Sequence, residues 1–170
     1  MQTKNVVTFA RTCAIGLMIV GVLASCATRN SKFVEIDEAT RNGNFQKAIE
    51  TLEENTDSLY GARDGVLYYL DSGMLHFYNR NYERSIRQFH EAERLIEEYF
   101  TKSVSQAATS LLLNDNQIDY AGEDFEDIYL NVFSAIAFME QGDFEGAFVE
   151  VRRINNKLNL LEDKDHGLAA

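Results

Sequence analysis

Apolar positions in this chain recur at helical spacing rather than alternating. The runs Val66 to Tyr78 and Ile128 to Met139 are amphipathic and of helix length, and their period predicts a helix over each. Each run leads into the same short phrase, which also occurs once earlier. The three copies are Asn42-Gly43-Asn44-Phe45-Gln46-Lys47-Ala48-Ile49, Arg80-Asn81-Tyr82-Glu83-Arg84-Ser85-Ile86 and Gln141-Gly142-Asp143-Phe144-Glu145-Gly146-Ala147-Phe148. Each holds a turn residue, an aromatic and a small residue three positions later, and an apolar residue follows four further on (Leu52, Phe89, Val151). Gly43, Asn81 and Gly142 are expected to end one helix and turn the chain. The aromatic then packs between two helices, and the small residue lets them approach, with Gly73 and Ala135 as small contact points on the preceding helices. A shorter helix over Ser31 to Thr40 precedes the first phrase. The pattern predicts an all-α chain of three helical hairpins.

Composition supports that picture and narrows the chemistry. At 170 residues and 45% hydrophobic positions the chain can bury one sizeable core, and it contains no proline to interrupt a helix. Its formal net charge is -11. Residues 1–25 hold Lys4 and Arg11 and no acid, so the remainder has 14 basic against 27 acidic residues, or -13. Such a charge repels nucleic acid and anionic headgroups, so membrane contact has to come from an anchor. The two cysteines are Cys13 and Cys26. Beyond them there is no thiol for a disulfide, a metal site or a nucleophile.

The N-terminus supplies the anchor. Lys4 and Arg11 precede the 11-residue apolar stretch Cys13 to Leu23, and Leu23-Ala24-Ser25-Cys26 follows. A charged start, a short apolar core and small residues before a cut are the parts of an export signal, too short to span a bilayer as a helix of ~20 residues. An ordinary signal peptide with a chance cysteine is the alternative. Leu-Ala-Ser-Cys resembles the lipobox of bacterial lipoproteins, which implies cleavage before Cys26 and a diacylglyceryl thioether on it. In that resemblance Ala27, being other than Asp, points to the outer membrane. Residues 1–25 are then the signal peptide and 26–30 a lipidated tether. Acyl chains add about 0.8 kcal/mol per buried CH₂, so two or three of them hold a protein firmly.

The hairpin phrases and the runs before them resemble the tetratricopeptide repeat over roughly residues 31–160, the runs matching its helix A and the phrases opening helix B. A generic helical bundle using the same connector is the alternative. The resemblance implies an α-solenoid of about three hairpins with a helical or loop insertion before the last. The repeat period is ~34 residues, whereas Phe45 to Tyr82 spans 37 and Tyr82 to Phe144 spans 62. An insertion at about residues 101–124 accounts for the longer interval, and no proline closes any repeat. Residues 161–170 form an unpatterned tail. The acidic turn Tyr120 to Asp127, followed by a last helix carrying paired arginines, is similar to a group of uncharacterised bacterial lipoproteins with tetratricopeptide-like helices, usually longer than this chain.

Several residues are candidates for chemistry. The acids Glu123, Asp124, Glu126 and Asp127 could bind a basic partner or a cation, but carboxylates in a first helical turn also complement the helix dipole, by ~0.3–1 kcal/mol each. That second reading is preferred. Asp115 to Glu126 has acids at the first, fifth, ninth and twelfth places of a twelve-residue loop, yet Tyr120 stands where a calcium loop needs glycine. Arg152 and Arg153 are expected to reach back to Glu123, Asp124 or Glu126 as a clasp, or else to form a docking surface beside them. His76, His90 and His166 lack metal spacing and read as core or surface filling. No phosphate loop, Gly-x-Ser-x-Gly or His-Glu-x-x-His occurs, so neither catalysis nor a cofactor is expected.

The resemblance places helices A along a concave groove, with Leu70, Met74, Phe77 and Tyr78 in the second repeat and Tyr129, Val132, Ile136 and Met139 in the third. Such a groove takes an extended peptide or a partner helix; Met74 and Phe77 are equally well placed to be core. The expected function is therefore a non-catalytic, lipid-anchored scaffold or adaptor for an envelope protein or peptide. A solute-binding accessory subunit of a transporter and an envelope hydrolase are the alternatives. The first would require a closed aromatic pocket, the second clustered acids in a cleft.

Overall fold

A computed structural model describes residues 31–106 and 120–168, with side chains through Lys102 in the first stretch and Asp163 in the second. The readings made for residues 1–30, including Cys26 and the tether, and for residues 107–119 lie outside the described residues. The fold is all-helical. Among the described residues there are seven helices and no strand. They are α1 (residues 31–41), α2 (Phe45–Glu54), α3 (Thr56–Leu59), α4 (Gly65–Tyr78), α5 (Tyr82–Gln106), α6 (Asp124–Glu140) and α7 (Phe144–Leu168). None is long and apolar enough to cross a membrane.

Three of the connections are the same turn. α1 ends where Gly43 N donates to the Thr40 carbonyl (3.0 Å) and Asn44 N to that of Ala39 (2.8 Å). α4 ends with Arg80 N on Phe77 (3.0 Å) and Asn81 N on His76 (2.9 Å), and α6 with Gly142 N on Met139 (3.0 Å) and Asp143 N on Phe138 (2.9 Å). This pair of bonds needs a left-handed residue, and it is Gly43 (φ 72°), Arg80 (φ 59°) and Gly142 (φ 77°) that supply it. Asn81 was expected in that role. It stands one place later instead, and its side chain caps the next helix. Asn44, Asn81 and Asp143 each accept a hydrogen bond from the backbone N–H three residues on, at 3.3, 3.3 and 2.9 Å. Such caps stabilise a helix start by about 1 kcal/mol each.

The small residues of the phrase sit where close approach is needed. Ala48, Ser85 and Ala147 are buried, each four positions past its cap. Ser85 Oγ donates to the Gly73 carbonyl at 2.8 Å, which ties α5 to α4. A Cβ on Gly73 would lie 2.6 Å from the Phe89 ring, so only glycine lets that ring cross α4. Ala135 is also buried, as expected.

Apart from the one-turn α3, successive helices pack on one another, α2 on α4, α4 on α5, α5 on α6 and α6 on α7, and α4 also touches α6. Two apolar seams result. One gathers Ala39, Ile49, Leu52, Leu59, Tyr60 and Leu75, with Phe33 and Ile36 against it. The other gathers Phe89, Ala92 and Leu130, with Leu70, Ile96 and Phe133 packed on it. Of the three apolar residues that close the phrases, Leu52 and Phe89 are buried, whereas Val151 is 42% exposed because no described helix follows α7. α7 itself continues unbroken from Phe144 through the first part of the expected tail to Leu168.

Candidate functional site: a trough along α1, α4 and α6

Two hollows lie between the first helices of the three pairs. One, of about 530 Å³, is walled by α1 and α4 through Phe33, Ile36, Asp37, Met74 and Tyr78, and by Tyr60 at the end of α3. The other, of about 390 Å³, lies between α4 and α6 and is lined by Leu70, Met74, Phe89, Phe125, Tyr129 and Phe133. Asp71 and Met74 line both, so the two hollows adjoin along α4 and together make a trough. Its acidic rim is made of Asp37, which is paired with Arg41 at 2.9 Å, Asp71 and Glu126.

The eight residues expected in a groove divide by position. Leu70 and Met74 are half-buried and line the trough; Tyr78 and Tyr129 line it and are 50% and 56% exposed. Phe77 is instead committed to packing. Its ring makes edge contacts with Phe133 (5.2 Å between centroids), Tyr82 (5.7 Å) and Tyr78 (5.9 Å), and so seals α4 against α6. Val132, Ile136 and Met139 line neither hollow. Phe125, 58% exposed in an edge contact with Tyr129 at 6.5 Å, is a lining residue that sequence reasoning missed. Its spacing of four from Tyr129 on one helix face was the available signal.

The trough is anchored by Tyr60, whose hydroxyl donates to Asp71 Oδ2 at 2.6 Å. Although Asp71 is an exposed residue, crowding around its carboxylate is the dominant influence and raises it above the ordinary range. The Tyr60 bond pulls the other way, and the charge of Glu126 adds to the lift.

The acidic turn is a helix start. Glu126 Oε2 accepts from Glu123 N at 2.9 Å in a capping box, and Asp124, Glu126 and Asp127 fill the first turn of α6. Tyr120 OH donates to the same Glu126 oxygen at 2.6 Å, and burial, followed by that bond, raises the phenol well above its usual range.

The expected clasp forms with other partners. Arg153 bonds Glu93 of α5 and lies 3.9 Å from Glu150. Arg152 donates Nε to the Phe148 carbonyl of its own helix at 3.3 Å. It is Lys157 that closes on the start of α6, meeting Asp127 Oδ1 at 2.7 Å. The reason is helical phase. Glu150, Arg153 and Lys157 share the α7 face turned to α5 and α6, while Arg152 is a quarter-turn away and exposed.

Together these form a buried polar core where the other seams are apolar. Lys157 Nζ reaches Glu93 Oε1 and Asn131 Oδ1, both at 2.7 Å. Asn131 Nδ2 donates to Glu93 (3.0 Å) and to Glu150 (2.8 Å), and His90 Nε2 lies 3.2 Å from Glu150. Glu150 is 1% exposed and Asn131 fully buried, and every one of their charged or amide groups has a partner. Burial pushes Glu93 upward, but the bond and charge of Lys157, with Asn131 and Arg153, outweigh it and hold the carboxylate below its ordinary range. Sequence reasoning missed this network. Its signal was Glu93 standing in the otherwise apolar stripe Tyr82, Ile86, Phe89, Ile96.

Among the described residues no three His, Cys, Asp or Glu side chains converge as a metal site requires. The loop tested for calcium lies largely outside the described residues, and Glu126, its last acid, is engaged by Tyr120 and the Glu123 backbone. No family model, curated protein or solved structure matches the chain.

Proposed function

We propose that this chain is a lipid-anchored protein of the bacterial envelope, held at Cys26 on the outer membrane, whose helical hairpins form a tetratricopeptide-like solenoid. It serves as a non-catalytic scaffold that binds a partner protein or peptide. The observation carrying the reading is the trough of two adjoining hollows along α1, α4 and α6. Tyr78, Phe125 and Tyr129 stand half in solvent there beside the adaptable Met74. Large, rigid aromatic rings beside a flexible thioether are a common composition for protein contact. The three identical turns and caps support the repeat reading, because a chain reusing one connector at one register is built from one supersecondary unit.

The acidic rim selects the partner's chemistry. Asp37, Asp71 and Glu126 favour a segment that places apolar side chains in the two hollows and basic ones at the edge. Anchoring confines the search for that partner to the membrane plane.

The test is crosslinking in the native envelope followed by mass spectrometry, comparing the intact chain with a Tyr78→Glu, Tyr129→Glu variant. Both residues are exposed, so the variant keeps its helicity and loses crosslinked partners. An unchanged partner set would sink the trough reading. Separately, Cys26→Ser releases the protein from the membrane fraction; its persistence there would refute the anchor.

A further inference from the structure

The outer face of α7 carries an apolar stripe that no other described residues cover. Phe144, Phe148, Val151 and Leu158 are 61%, 67%, 42% and 48% exposed, and with Asn155 they follow the alternating four-and-three spacing of a helix-pairing seam. Counted from the caps Asn44, Asn81 and Asp143, Phe148 is the register equivalent of Ile49 and Ile86, and Val151 that of Leu52 and Phe89. Those four are 4%, 6%, 1% and 1% exposed. Phe89 is covered by α6, with Phe133 stacked 6.3 Å away, and Leu52 shares a core with Leu75 of α4. The face that receives a helix in the first two pairs is thus present, apolar and open in the third.

We propose that this face receives the α7 of a second copy of the chain, the two helices running antiparallel about a two-fold axis near Phe148. Charge placement identifies the occupant. Glu145 and Arg152 are exposed, seven residues apart, and flank the stripe on the same side. An antiparallel pair centred between them sets each Glu145 beside the partner's Arg152, twice over, whereas in a parallel pair these flanking residues fall on opposite sides of the seam and cannot meet. The face is locally neutral within a chain of net charge -11, so self-association avoids the repulsion that the acidic remainder would impose. Asn155 is the single polar residue in the stripe, a device that fixes register in paired helices. A two-fold contact of this kind uses one patch on both subunits and closes on itself, which prevents filament growth.

The experiment uses the full chain purified in detergent, with light scattering for protein mass and disulfide crosslinking of Phe148→Cys or Leu158→Cys variants, which requires the two copies of the substituted position to meet. A protein mass near twice that of one chain is expected. Crosslinked dimer should form from position 148, which lies at the axis. It should not form from position 158, since its own copies would be roughly 28 Å apart along the helices at 1.5 Å per residue. Phe148→Glu with Val151→Glu weakens the dimer by roughly 30-fold or more while helicity and melting stay unchanged, both residues being exposed. Glu145→Arg alone weakens it, and adding Arg152→Glu restores it. Four results would overturn the proposal: a monomer at tens of micromolar, a dimer indifferent to the two glutamates, equal crosslinking from both positions, or no rescue by the charge exchange.

Discussion

Lys157 of α7 bonds Glu93 of α5 at 2.7 Å, across 64 positions of sequence, and the same ammonium holds Asp127 and Asn131 of α6. One side chain therefore ties three helices at a seam that has little apolar surface to hold it.

Removing that ammonium strands a buried carboxylate. Lys157→Met is expected to lower unfolding free energy by about 3 kcal/mol, the scale for breaking a buried pair by deleting one partner. Urea denaturation followed by circular dichroism measures it. A loss below about 1 kcal/mol would show that the cluster is solvated. Acid should act on the same group. Because Glu93 is held below its ordinary 4.5, its contribution is full above that value and is lost as pH falls through the lower folded value.

His76 gives a second pH dependence, in a separate window. It is 1% exposed, and neither ring nitrogen has a hydrogen-bond partner, Glu53 Oε1 lying 3.8 Å away. Burial is the main cause of its lowered pKa, Arg84 and Arg87 on α5 add to it, and Glu53 on α2 opposes it. The folded state thus binds this proton less readily than the unfolded chain does. Stability is present above about 6.5 and declines as pH falls below it toward the folded value. His76→Phe should flatten melting temperature between pH 6.5 and 5, while wild type declines. Parallel curves for the two would refute the assignment.

The left-handed turn residues yield opposite predictions for matched substitutions. Arg80 holds φ 59° at the position Gly43 and Gly142 occupy. Arg80→Gly is expected to raise stability by about 0.5 kcal/mol, since relief of strain exceeds the added unfolded-state entropy. A Cβ on Gly142 meets open space, so the loss of about 1 kcal/mol expected for Gly142→Ala comes from backbone conformation alone. Thermal melting of both variants decides; the same sign for both would contradict the turn geometry.

The helices were legible because each carries its own period and its own cap. Gly43-Asn44 and Gly142-Asp143 announce a turn and a cap together, whereas Arg80-Asn81 hides the turn residue behind a side chain that rarely adopts it. The trough was legible in part. Tyr78 and Tyr129 follow from helical phase, but Phe77 projects toward α6, and no spacing within α4 reveals which neighbour waits there. The polar seam was hidden for a different reason. Lysine and arginine stems are long enough to choose among many acids, and the acid chosen, Glu93, lies on a helix 60 or more residues away. Local pattern records which face a charge occupies and is silent about its partner.

Met74 is a wall common to both hollows of the trough. Its unbranched thioether turns about three bonds at small expense, so a bulky group entering beside Tyr78 can displace it toward Phe125, and one entering beside Tyr129 can return it. The two hollows therefore share a movable partition. Enlarging one shrinks the other, and the trough can match side chains of unequal size at its two ends without moving a helix.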